Sequence, residues 1–312
     1  MFNLITVELT KIVSKKSTKI AIIIAGILII FSCIFQASSE VTPKNWREEV
    51  QKEVDFAKNE IKENKGTDME DFYETLYKED VAIGEYSLEH NIANNVITPL
   101  KFAYNNTFSM SVWVVLLLIM SVINFADEFQ FGTIKQILTR PYKRSKILMA
   151  KQIVFVCMSI VVLLIQIAIS YIVGLIFFGK NGTSGIVLDY VNGNVIEINM
   201  NMTLWQLYFS YVVVAIILIS IAYFFITIMR TATIPIILTM LIWLGDGLIT
   251  STCSKYQIIK YTIFPHLNLA QYIKGNDLML KGNTIGFSCA VLLISFVVVE
   301  ICTYIVFTKR DI

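Results

Sequence analysis

An all-α polytopic membrane protein with six transmembrane helices is the architecture this sequence predicts, and three observations carry it. Apolar residues make up 55% of the 312-residue chain, more than a water-soluble domain of that size can hide, so a bilayer has to be part of its solvent. Six apolar stretches, 18–35, 108–125, 152–178, 204–229, 233–252 and 284–307, reach the roughly 17–25 residues that cross about 30 Å of hydrocarbon as a helix. Charge is segregated along the chain, so the overall net of +2 says little and its distribution says much. The predicted division is 1–37 for an interfacial helix and the first span, 38–107 for an extracellular domain, and 108–312 for a five-span remainder.

Ahead of the first span, Phe2, Ile5, Leu9, Ile12 and Val13 recur at helical spacing, with Glu8, Lys11, Lys15 and Lys16 at other positions. That pattern predicts a helix lying along the inner leaflet, with a frayed basic terminus as the plainer alternative. Cys33 after Ile30-Phe31-Ser32 has the outline of a lipoprotein processing site, but Phe31 fits it poorly and five more spans follow, so the stretch is read as a span.

Residues 38–107 break the apolar pattern with fifteen acidic and eight basic residues, a net of −7. Val50, Val54, Ala57 and Ile61 mark one stripe of a charged helix starting near Trp46, Gly66-Thr67-Asp68 reads as a turn, and a second helix is predicted over 69–78. Such a domain is either a solvated spacer or a lid or capture surface for a cationic substrate.

The loop at 126–151 is strongly basic: Lys135, Arg140, Lys143, Arg144, Lys146 and Lys151 stand against Asp127 and Glu128, leaving +4. Phe131, Ile134, Ile137 and Leu138 share one side of a 3.6-residue period, which predicts a short amphipathic helix stopped by Pro141. A short basic loop belongs on the cytoplasmic side.

After the third span, Val187-Leu188 and Val195-Ile196 flank Asn192-Gly193-Asn194 and predict a small hairpin. Only Arg230-Thr231-Ala232 separate the fourth and fifth spans, which makes them antiparallel, and Pro235 sits at the start of the fifth, where its missing amide costs little. Residues 255–283 are too apolar for an ordinary loop and too broken by Pro265 for a span, so a re-entrant or interfacial pair of short helices is expected. With the N-terminus inside, inner segments carry thirteen lysines and arginines against five in the short outer loops, placing both termini in the cytoplasm of a multi-pass plasma-membrane protein.

Glu128, Gly132-Thr133, Leu138-Thr139-Arg140-Pro141, Arg144 and Lys151 together resemble the signature of ABC-2 type exporter permeases, and the ending from Phe307 to Ile312 is similar to their short tail. Lys143 and Ala150 depart from the pattern, standing where a small hydroxyl residue and a glycine are common. The resemblance implies that the loop is a coupling helix docked on a separate cytosolic ATPase. Glu128, Phe131, Gly132, Thr133, Ile134, Ile137, Leu138, Arg140, Pro141, Arg144 and Lys151 would then form the ATPase-coupling surface. It further implies a second permease copy or paralogue, ATP and Mg²⁺ held by the partner subunit, and an outer gate at 255–283.

No G-x-x-x-x-G-K-[ST] loop occurs, so ATP hydrolysis and any other catalytic role are expected elsewhere, and no residues are assigned to catalysis, metal or nucleic-acid binding. The five cysteines lack metal or disulfide spacing, and His90 and His266 are too far apart for a zinc site, His266 reading as an interfacial anchor. Asp246 and Glu300 lie within spans, where an ionised carboxylate needs a partner or water, and are candidates to line a pathway or to be satisfied structurally. The expectation is a permease subunit exporting an amphipathic substrate such as a peptide or antibiotic. An ion- or proton-coupled secondary transporter resting on Asp246 and Glu300, and a non-transporting immunity or sensor protein, are the rivals.

Overall fold

The computed structural model describes residues 1–39, 45–67, 69–138, 142–179, 185–191, 193–273, 280 and 282–309. It is mostly helical. In order come α1 (Phe2–Ser14), α2 (Lys16–Ser39), α3 (Trp46–Glu63), α4 (Glu70–Glu89), α5 (Pro99–Asn105), α6 (Met110–Gln130), α7 (Thr133–Leu138) and α8 (Arg144–Phe178). A hairpin of β1 (Ile186–Val191) and β2 (Asn194–Asn199) follows, then α9 (Met200–Met229), α10 (Thr233–Leu244), α11 (Asp246–Cys253) and α12 (Ile285–Lys309).

Among the described residues five helices are long and apolar enough to cross a membrane: α2 from Thr18, α6, α8, α9 and α12. The α10–α11 pair becomes a sixth if its 50° bend belongs to one broken span. At about 1.5 Å per residue, the 35-residue α8 is about 52 Å long, well beyond a hydrocarbon core of about 30 Å, so it tilts or projects. In α6 and α9 61% and 67% of the most apolar window is buried in protein, against 22% in α2 and α12, whose Ile23, Ile27, Phe31, Leu293 and Ile294 stand exposed as lipid-facing side chains do.

The chain divides into two compact units, one of residues 1–29, 108–166 and 207–312, the other of residues 30–107 and 167–206. In the first, Phe125 packs against Tyr223 and Phe307 at ring-centroid distances of 4.8 and 6.0 Å. Buried polar side chains also tie helices together there: Trp113 Nε1 donates to Gln166 Oε1 at 2.9 Å, and Gln166 Nε2 donates to Ser109 Oγ. Such bonds act as glue where lipid gives no hydrophobic drive for association.

In the second unit, α3 and α4 pack as a helical pair whose buried stripe is Val50, Val54 and Ala57 against Gly84 and Ser87. Asn45 precedes α3, and Glu48 and Glu49 in its first turn suit the positive end of the helix dipole. The second helix runs to Glu89, eleven residues past the predicted end at 78, because its apolar contacts continue through Ile83 and Gly84. Thr98 caps α5, accepting from Lys101 N at 3.1 Å with Pro99 in the first turn. Asn106 Nδ2 donates to Cys33 Sγ at 2.8 Å and Ser170 Oγ at 3.0 Å, so Cys33 is a packed interior group. The expected hairpin forms with the register Ile186↔Asn199 to Val191↔Asn194, and Gly193 supplies the left-handed turn residue at φ +88°.

Two expectations about shape are corrected. The 255–283 segment forms three short 3₁₀ turns, Gln257–Tyr261, Phe264–His266 and Leu269–Tyr272, in place of two helices, while 274–279 and 281 lie outside the described residues. Pro265 and the spacing of its apolar neighbours suit isolated turns better than a continuous helix. In that segment His266 is fully buried, its Nε2–H donating to Lys260 O at 2.8 Å and its Nδ1 2.7 Å from Ser288 Oγ. Burial holds its pKa below the usual histidine value. It is an interior group with both nitrogens satisfied, in place of the expected interfacial anchor.

Candidate functional site

The turn from α6 to α8 is built from a helix stop and an ionic cluster. Phe131 caps α6, and Gly132 at φ +67° takes the left-handed position that ends it, its N–H donating to Phe129 O at 3.2 Å. Because glycine breaks the chain there, α7 starts only at Thr133. Phe131, expected on the same side as Ile134, is 75% exposed, whereas Ile134 is buried. Gly132 and Thr133 are exposed as well. The backbone of Ile137 and Leu138 completes α7, and Arg140 and Pro141 lie outside the described residues.

Glu128 and Lys151, 23 residues apart, meet directly through Glu128 Oε1 and Lys151 Nζ. Each is almost wholly buried, and α1 supplies the remaining charges: Lys151 Nζ also donates to Glu8 Oε2 at 3.0 Å, and Lys11 Nζ donates to Glu128 Oε1. Lys15, at the end of α1, pairs with Asp127. Glu8, Lys11 and Lys15 fall at intervals of three and four, so one face of α1 presents acid, base, base to the end of α6. Three carboxylates and three ammoniums balance. The Lys151 ammonium also lies 5.6 Å from the centre of the Phe125 ring.

Part of the predicted stripe of α1 turns inward and part stays open. Its buried residues are Leu4, Glu8 and Ile12, while Phe2, Leu9 and Val13 of the expected stripe are exposed. Glu8 sits in the interior because Lys151 receives it, a pairing across 143 residues that leaves no local mark in the sequence. Two buried oxygens nearby, Glu128 Oε2 and the Tyr223 hydroxyl, have no hydrogen-bond partner among the described residues.

Arg144 opens α8 and donates from Nη1 to Thr308 O at 3.2 Å, satisfying a carbonyl in the last turn of α12. Lys135, Lys143 and Lys146 are exposed. The α6–α8 turn, α1 and the end of α12 therefore gather at one end of their unit.

The two membrane acids are separate in their partners. Asp246 lies at the α10–α11 bend as the first residue of α11, where its Oδ1 accepts Gly247 N–H at 2.6 Å and complements the helix dipole. It lines a cavity of about 380 Å³ together with Ser111, Ser210, Tyr211 and Asn268. Glu300 Oε1 accepts from Gln152 Nε2 at 2.6 Å. Among the described residues no group of three His, Cys, Asp or Glu side chains is arranged to hold a metal.

Long apolar helices joined by charged, ion-paired turns define a multi-pass membrane protein. The chain belongs to the family described as "Protein of unknown function (DUF2705)", whose model matches residues 81–312. It is similar to the uncharacterized protein YhcI of Bacillus subtilis (strain 168), with 30% identity over all of this chain and 99% of that one. It is also similar to the uncharacterized membrane protein YdbK of the same strain, with 24% identity over 59% of this chain and 72% of the relative.

Proposed function

We propose that this chain is the membrane subunit of an ABC-2 type exporter, moving an amphipathic substrate such as a peptide or antibiotic outward across a bacterial plasma membrane. ATP and Mg²⁺ belong to a separate cytosolic ATPase, which docks on the α6–α8 turn, and a second permease copy or paralogue completes the path. The single observation supporting this is the braced charged turn: an exposed Phe131 with exposed Lys135, Lys143 and Lys146, on a base held by the buried Glu8, Glu128 and Lys151. A lever needs a rigid root and an accessible tip, and force on α7 reaches α6, α8 and α1 together through those ion pairs. On this reading both termini are cytoplasmic, α1 lies with Phe2, Leu9 and Val13 in the inner leaflet, and residues 46–89 are extracellular.

Co-purification from the native host tests it: the tagged chain should retain an ATP-hydrolysing subunit, and Phe131→Ala with Lys143→Glu should release it. A wild-type chain that never carries an ATPase rejects the proposal. The polar cavity beside Asp246 favours one rival, an ion-coupled carrier. If Asp246→Asn abolishes substrate flux in proteoliposomes lacking ATP, that rival replaces the exporter.

A further inference from the structure

The α3–α4 pair encloses a cavity of about 440 Å³, within the roughly 300–1,000 Å³ of small-molecule sites. Its floor is apolar, formed by the buried Val50, Val54 and Ala57. One wall is aromatic, with Phe56 and Tyr77 edge to face at 6.1 Å. Glu53 and Asp80 also line it, and among the described residues neither has a cationic partner, the neighbouring Lys58 being engaged with Glu85 at 2.5 Å.

The other polar groups around this cavity are Ser87, Asn94, Asn95 and the Tyr77 hydroxyl. Ser87 donates to Ile92 O, and Asn94 Oδ1 accepts from Leu188 N at 3.3 Å. Asn95 Oδ1 is buried at the cavity with no donor. Burial, followed by the charges of Glu49 and Asp80, raises the Glu53 pKa above the usual carboxylate value, as a negative field at that position does. What would satisfy two carboxylates, one orphaned carbonyl, two aromatic rings and an aliphatic floor is a positive donor attached to an apolar body.

We infer that the α3–α4 cavity binds an amphipathic primary ammonium, its head among Glu53, Asp80 and Asn95 and its hydrocarbon body against Phe56, Tyr77 and Ile83. An anion is repelled there, and a neutral alcohol leaves the carboxylates unpaired. This site lies in a different unit from the α6–α8 turn and needs no ATPase.

Equilibrium dialysis of the full chain in phosphatidylcholine nanodiscs, against empty nanodiscs, provides the test. 4-Phenylbutylammonium should bind saturably, with 4-phenylbutanol and 4-phenylbutyrate at least about tenfold weaker. Glu53→Gln with Asp80→Asn, both at exposed positions, should weaken the ammonium by about tenfold or more, with the circular dichroism and unfolding temperature unchanged. The inference is overturned if the ammonium partitions equally into empty discs, if the alcohol binds as well, or if the double variant binds unchanged. Because no ATPase is present, failure here leaves the exporter proposal standing, and loss of ATPase association leaves this site standing.

Discussion

Lys151 is 3% exposed and holds two carboxylates, so removing its charge strands Glu8 away from water and leaves Glu128 with Lys11 alone. Lys151→Met should destabilise the protein by about 3–5 kcal/mol, read from denaturant or thermal unfolding in nanodiscs. Lys11, whose side chain is 39% exposed, offers a contrast: Lys11→Met should cost under about 1 kcal/mol, since Lys151 still neutralises Glu128. A second prediction concerns pH. His266 is held neutral by burial, so its folded pKa lies below the unfolded value of about 6.5. The unfolded chain therefore binds the proton first on acidification. Its contribution is complete above about pH 6.5 and is lost as pH falls through the depressed folded value. Unfolding temperature measured between pH 8 and 5 should fall, and His266→Gln should flatten that part of the profile. Of these residues, Glu128 and Lys151 were legible in the sequence as members of a motif. Their partner Glu8 was not, because the hydrophobic period of α1 counts only apolar side chains and a buried glutamate is invisible to it until its lysine is found.

Helix contacts explain which glycines matter. A Cβ on Gly174 of α8 would lie 2.9 Å from Pro99 Cα and 3.2 Å from its carbonyl oxygen, backbone that cannot move aside, whereas Gly26 of α2 has nothing within 4 Å. Gly174→Ala should cost about 1–3 kcal/mol and raise hydrogen exchange in α5, while Gly26→Ala should leave both unchanged. Helix existence was largely readable from composition, since twenty apolar residues in a row have few other solutions. Boundaries were not. The amphipathic segment after α6 begins two residues after Phe131 because Gly132 takes a left-handed conformation, and the α10–α11 pair bends where the Asp246 carboxylate meets the dipole of a new helix. The hairpin at 186–199 was readable because its turn residues have a specific stereochemical use.

Taken as a whole, the chain gathers α1, the α6–α8 turn and the end of α12 through side-chain bonds. Six spans, with the bent α10–α11 pair counted as one, would put both termini on one side, and the proposal makes that side the cytosol. In a cysteine-free background, Lys143→Cys or Lys146→Cys should react with a membrane-impermeant maleimide only in inverted vesicles, and Glu60→Cys only in right-side-out cells. Labelling of 143 from outside would remove any route for an ATPase to reach the turn.

The union of Glu8 with Lys151 has a consequence for biosynthesis. At about 5–20 residues per second, the 143 residues between them take roughly 7–30 s to make, during which the first helix holds an acid whose base does not yet exist. A ribosome-bound intermediate stalled before Lys151 should therefore expose its leading segment to protease, and protection should arrive abruptly once the third long hydrophobic stretch has emerged.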